Sequence, residues 1–124
     1  MEKESIVLLG HGSRRSEANN ILKSIVKIIK PKFLGINIEY AFLELAEPNI
    51  RDIIEKLVAN RYDSIYVIPY FLYSGNHVSR DIPEILGEYR EKYPDIKLKL
   101  GDYLGIDERL AELVMERIES IKLA

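Results

Sequence analysis

Two unbroken apolar runs, Ile6-Val7-Leu8-Leu9 and Ile65-Tyr66-Val67-Ile68, constrain this chain more than any other feature. Strands of this kind are buried on both faces, which places them in the interior of a parallel sheet covered by helices. Two further segments, 36–42 and 96–100, alternate apolar with mostly polar residues, as half-exposed strands do. They are expected at the edges, where Lys97 and Lys99 would also discourage pairing with another sheet. Right-handed crossovers between inner strands 1 and 3 and outer strands 2 and 4 give the order 2-1-3-4. The expected fold is therefore α/β, a flavodoxin-like four-stranded parallel sheet with helices on both faces.

The intervening segments carry helical stripes. Ile50, Ile53, Ile54, Leu57 and Val58 follow the spacing of one buried face. Pro48 is expected in the first turn of that helix, with Glu47 favoured beside it by the helix dipole. Ile21, Leu22, Ile25, Val26 and Ile29 give the first helix a broad buried face, and Leu110, Leu113, Val114, Ile118 and Ile121 give the last helix the same. Asp81 and Glu84 have the spacing of a reciprocal cap, which would start the third helix near residue 81. Pro31 and Tyr93-Pro94-Asp95 are plausible stops.

Composition narrows the function classes. At 124 residues the chain is read as one domain spanning 1–124, with enough apolar content, 47%, for a single core. Charged residues nearly cancel, leaving a formal net charge of -2, so no global field favours nucleic acid or an anionic membrane. No cysteine is present, so a metal site must rest on His and carboxylate. The first residues lack a basic stretch followed by an apolar one, and no segment approaches the roughly 20 apolar residues of a membrane span. A cytoplasmic protein without nucleic-acid or membrane partners is expected.

The order 2-1-3-4 reverses its winding between strands 1 and 3, and open α/β sheets bind ligands outside the carboxyl ends of the strands at such a point. The two histidines of the chain fall there: His11 in Gly10-His11-Gly12-Ser13-Arg14, and His77 in the loop expected at Ser74-Gly75-Asn76-His77. Neutral imidazole binds first-row divalent metals and takes a proton near neutral pH. Glu44 follows the second strand and can join them as a hard ligand or proton acceptor. Arg14, Arg15 and Arg80 flank the histidines and suit ligand carboxylates, or serve as surface charge. Tyr70, Phe71, Leu72 and Tyr73 form an aromatic lip suited to a flat ligand or an interface, or part of the core.

Other readings of these residues stay open. The segment 10–13 can cradle phosphate, although it matches neither GxGxxG nor a Walker A loop. Gly12-Ser13 invites a serine-nucleophile reading, without the GxSxG elbow. A receiver or nucleotide module of the same topology would need an acidic cluster after strand 1, where Gly10-His11-Gly12 stands. A non-catalytic carrier of a metal or of a flat ligand needs the same histidines and aromatics as an enzyme.

The chain resembles the short form of the sirohydrochlorin cobaltochelatase family, relatives of the class II chelatases that include ferrochelatase. The resemblance rests on Leu9-Gly10-His11-Gly12-Ser13-Arg14, on Phe42-Leu43-Glu44 with Pro48, and on Pro69-Tyr70-Phe71-Leu72 followed by Gly75, His77 and Asp81-Ile82-Pro83. It implies ATP-independent insertion of Co(II), or Ni(II), into sirohydrochlorin for cobalamin or related biosynthesis, with Fe(II) for sirohaem as the alternative. The metal is then a substrate and no prosthetic group is needed. By the same resemblance His11, His77 and Glu44 are the metal-binding and catalytic residues. Gly12, Ser13, Arg14, Arg15, Tyr70, Phe71, Leu72, Tyr73, Ser74, Gly75, Asn76 and Arg80 would border the substrate. Longer relatives hold two such lobes, so the short form implies a homodimer. Many relatives have His-Pro near Leu104-Gly105-Ile106-Asp107; here Asp107 takes the His position and is read as a helix cap.

Overall fold

The computed structural model describes residues 2–73 and 75–123, with the side chains of Asn76 and His77 outside the description. The elements run β1 (Glu4–Gly10), α1 (Ser16–Ile29), a 3-10 turn (Lys30–Lys32), β2 (Asn37–Phe42), α2 (Ile50–Ala59), β3 (Ser64–Pro69), α3 (Asn76–Lys92), β4 (Lys97–Leu100) and α4 (Glu108–Lys122). All strand pairs are parallel and the order is β2-β1-β3-β4, as the apolar runs predict. Residues in register share a face, so Ile6 stands beside Tyr66, and Leu8 beside Ile68.

Burial divides the core by the two faces of the sheet. On one, Val7, Leu9, Ala41, Ile65, Val67 and Leu98 meet Ile50, Ile53, Ile54 and Leu57 of α2 and Ile82, Leu86 and Tyr89 of α3. On the other, Leu8, Ile38 and Phe42 meet Leu22 and Val26 of α1. Each fully buried aliphatic side chain contributes about 1.5–3 kcal/mol, so the thirteen-residue first cluster dominates the hydrophobic stabilisation. Polar contacts add to it at the helix surfaces. Arg51 grips Glu88 at 2.6 and 3.4 Å, and Glu55 accepts from Lys92 Nζ at 2.7 Å and Tyr93 Oη at 2.6 Å, joining α2 to α3.

Four expectations are corrected. Pro48 lies before α2 at a cis Glu47-Pro48 bond, and Asn49 is the cap, its Oδ1 accepting from Arg51 N at 2.8 Å. Helix α3 begins at Asn76 rather than near Asp81, because Val78, Ile82, Ile85, Leu86 and Tyr89 already form one apolar stripe against the first cluster. Asp81, Pro83 and Glu84 are consequently interior to it, and His77 stands in its first turn instead of a loop. The last helix forms and is capped by Asp107, whose Oδ1 accepts from Arg109 N at 2.9 Å, but none of its residues is buried. In α1, Leu22 and Val26 are buried while Ile21 is exposed, so the buried face is narrower than the sequence suggests. Among the described residues, no helix is long and apolar enough to cross a membrane.

Candidate functional site

The carboxyl ends of β1, β2 and β3 converge on one cleft. After Gly10 the chain leaves β1 but keeps its neighbour: Leu43 N donates to Gly10 O at 3.0 Å and Glu44 N to His11 O at 3.1 Å. The segments beyond the two strands therefore stay zipped past the sheet edge. This register brings His11 Nε2 within 3.1 Å of Glu44 Oε1, with both side chains more than half exposed and so accessible to a ligand. On the other flank, Tyr70 N donates to Leu9 O at 2.8 Å, which carries the β3 side of the site outward in the same way.

Glycine is required at one point of this assembly. Gly12 has φ +100°, a region that favours glycine, and a Cβ there would collide with the Glu44 carbonyl oxygen. Its missing side chain lets the His11 segment approach Glu44 closely. Beyond it the turn is fixed by Asn19 in the first turns of α1. Asn19 Oδ1 accepts from Ser13 N at 3.0 Å, and its Nδ2 donates to Ser13 O at 2.7 Å. Ser13 Oγ accepts from Arg15 N at 3.0 Å, a turn bond that gives its hydroxyl a local structural role.

The cleft, about 270 Å³, is walled by the segment 10–13, Ile21, Phe42, Tyr70 and Phe71. Phe71 meets the His11 ring edge-on, centroids 6.4 Å apart and planes at 67°. The aromatic lip is thus split: Tyr70 and Phe71 are half-buried walls, whereas Leu72 and Tyr73 stand exposed at 58% and 80%. Arg14, Arg15 and Arg80 are exposed and none of them walls the cleft, Arg15 standing in the N-cap position of α1 and Arg80 in α3. Gly75 is the exposed N-cap of α3. Ser74 and the side chains of Asn76 and His77 lie outside the described residues. Among the described residues, no three His, Asp or Glu side chains gather into a metal cluster, and His11 with Glu44 is the pair that meets at this cleft. Sequence reasoning missed Asn19, Ile21 and Phe42. Asn19 was signalled only by its place one turn into the helix after a Gly-rich loop.

An open parallel α/β sheet with an imidazole–carboxylate pair and aromatic walls at its switch point has the form in which α/β proteins bind ligands. Residues 5–121 match the CbiX family, and the chain belongs to it. A relative from Sulfurisphaera tokodaii, named sirohydrochlorin cobaltochelatase, is 32% identical over 94% of this chain and 92% of its own length. A sirohydrochlorin ferrochelatase of Bacillus subtilis is 32% identical over 96% of this chain, which spans 46% of that relative. The sirohydrochlorin chelatase SirB from Bacillus subtilis subspecies spizizenii, solved in complex with cobalt, superposes with a TM-score of 0.87 at 32% identity. The match covers 98% of this chain and 51% of SirB.

Proposed function

We propose that this chain is a cytoplasmic chelatase that inserts a divalent metal, Co(II) first and Ni(II) next, into sirohydrochlorin, residues 1–124 forming one lobe of a homodimer. The observation that carries the proposal is the exposed His11–Glu44 pair, 3.1 Å apart at the carboxyl end of the central strands, in a chain of the CbiX family. The reaction exchanges one dication for two pyrrole protons and needs no redox partner. His11 supplies an imidazole donor to the metal and, once the metal has moved on, a base for a pyrrole N–H. Glu44 holds that ring in place, shares the cation and takes up proton charge. His77, at the start of α3, adds a second imidazole to the same reaction. Few protein donors suit a metal in transit, since the macrocycle's four nitrogens must take it over.

The macrocycle is flat and large beside a cleft of about 270 Å³, so one lobe covers only part of it. A second copy facing the first encloses the rest, and a two-fold pair is the commonest way for one sequence to do so. Tyr70, Phe71, Leu72 and Tyr73 then lie against the ring, while Gly12, Ser13, Arg14, Arg15, Ser74, Gly75, Asn76 and Arg80 border its carboxylates.

Anaerobic metallation of sirohydrochlorin followed by absorbance tests the assignment, with Co(II), Ni(II) and Fe(II) supplied in turn. Many turnovers by the wild type, abolished in a folded His11→Ala or His77→Ala variant, are expected. Fastest turnover with Fe(II) would move the assignment to the ferrochelatase alternative. Stoichiometric binding without faster metallation would make the protein a carrier and overturn the enzyme reading.

A further inference from the structure

Charge is distributed unevenly along this chain. From Arg14 to Lys32, six basic residues stand against one acidic residue, Glu17, a net of +5. Because the whole chain carries -2, the remainder carries -7. The basic residues sit on and around α1, the helix that starts beside the cleft and whose Ala18, Asn19, Ile21 and Leu22 help to wall it.

The helix sorts these charges by flank. Lys23, Lys27 and Lys30 follow the i, i+4, i+7 spacing of one helical face, and Lys30, the C-cap, keeps αR geometry, so the stripe is unbroken. All three are exposed, and Lys23 Nζ lies 5.6 Å from the centre of the Tyr40 ring, which puts the stripe on the β2 side of the helix. Glu17 falls with Ile21, Ser24 and Ile28 on the other flank. Elsewhere Arg51, Lys56, Lys92 and Arg109 are each paired with a carboxylate. Among the described residues, no carboxylate pairs with Lys23, Lys27, Lys30 or Lys32, nor with Arg14 or Arg15 at the cleft end of the helix.

A row of unpaired cations leading to a cleft concentrates anions there and speeds their capture. The occupant is fixed by what surrounds the row. The exposed apolar residues of α1, Ile21 and Ile28, lie on the opposite flank, so this one offers a lipid surface nothing to insert. A long polyanion such as nucleic acid would also meet the acidic remainder of the chain. A compact polyanion feels the local field alone. We propose that the lysine flank of α1 steers the polycarboxylate macrocycle into the cleft, with Lys23 and Lys27 contributing most. The inference rests on the sirohydrochlorin reading above and names how that substrate is captured.

Salt separates the near lysines from the far ones. Lys23 follows directly on the cleft wall at Leu22, whereas Lys30 lies about 21 Å along the helix from its first residue. The screening length is roughly 30 Å at 0.01 M salt and about 8 Å at 0.15 M. The experiment is stopped-flow measurement of sirohydrochlorin association with the metal-free protein, since the same field opposes a dication. Three variants each remove two charges: K23Q/K27Q near the cleft, K30Q/K32Q at the far end, and K97Q/K99Q on β4 at the opposite edge of the sheet. At 0.01 M salt, K23Q/K27Q is expected to lower the association rate constant about tenfold and K30Q/K32Q about threefold, with K97Q/K99Q near wild type. At 0.15 M only K23Q/K27Q should remain slower, by about twofold, and dissociation should be unchanged throughout. Equal losses in the three variants would mean that net charge acts and not the stripe, overturning the proposal. Association in K23Q/K27Q as fast as in the wild type at 0.01 M also overturns it, while leaving the chelatase reading intact. A wild type that binds no sirohydrochlorin overturns both.

Discussion

His11 Nε2 stands 3.1 Å from Glu44 Oε1, although the two residues are 33 positions apart and belong to segments that follow different strands. Their meeting depends on the β1–β2 register, in which Gly10 pairs with Phe42. Two backbone bonds then extend the pairing beyond the sheet. A carboxylate beside an imidazole fixes the ring's orientation and raises its strength as a donor. Glu44→Gln keeps size and polarity but removes the charge. It is expected to weaken Co(II) binding about 10- to 100-fold, the usual effect of losing the partner of a metal-ligating imidazole. His11→Ala should cost at least as much. Because the residues act together, the double variant should lose less than the sum of the two single losses. Calorimetric titration of the four proteins with Co(II) checks this, and strict additivity would show that the pair does not act as a unit.

Gly12→Ala probes the same junction from the backbone. The added Cβ would meet the Glu44 carbonyl oxygen, which is backbone and cannot swing aside as a long side chain would. The φ of +100° adds a penalty of order 1 kcal/mol for any L side chain. The segment must shift to relieve the clash, which separates His11 from Glu44. Expected outcomes are a lower urea midpoint, by about 2 kcal/mol or more in unfolding free energy, together with loss of metallation. Gly35→Ala is the informative control: its φ is also positive, +83°, but nothing lies within 4 Å of an added Cβ, so only the conformational penalty should appear.

Asn19 tests positioning without direct participation. Its amide holds both the N–H and the C=O of Ser13, and it is half-buried at the base of the cleft. Asn19→Ala removes both bonds, each contributing about 0.5–1.5 kcal/mol net, and frees the segment that carries His11. A several-fold fall in kcat with little change in Co(II) affinity is expected. If metal affinity fell as far as turnover, Asn19 would be acting on the ligands themselves. Asn19→Asp, which retains only the acceptor toward Ser13 N, should lie between wild type and Ala.

The strand order was legible because an apolar run buried on two faces looks different from an alternating one, and residues 6–9 and 65–68 differ in this way from 36–42 and 96–100. The position of His11 at the switch point follows from that order. The start of α3 was not legible. Its N-cap, Gly75, offers no side-chain acceptor, while the Asp81–Glu84 spacing imitates a start. Asn49 was hidden behind Pro48 for a similar reason, since proline in a first turn is itself a good signal. The stripe on α4 was read correctly as apolar. Periodicity says that a face seeks cover, but not which surface provides it, and in this chain the face is bare.

Acid should loosen the joint between α2 and α3. The side-chain hydrogen bonds from Lys92 and then Tyr93 hold the Glu55 carboxyl below its usual range, and the hydrogen bond from Arg51 does the same for Glu88. A carboxyl depressed on folding stabilises the native state above its unfolded pKa, about 4.3 for Glu, and that contribution is lost as pH falls through the folded value. Lys92 shifts the opposite way, upward, chiefly through its bond to Glu55. Its share is present below the ordinary lysine range near 10.4 and is lost as pH rises through the folded value. Between these limits both terms are constant. These groups are solvent-exposed, so salt and hydration keep the effect small. The measurable quantity is the difference in Tm between wild type and E55Q/E88Q from about pH 3 to pH 9. It is expected to be positive and flat above about pH 5, then to shrink as pH falls below about 4. A difference that stays constant down to pH 3 would mean that the two carboxylates contribute through packing alone and not through their charge.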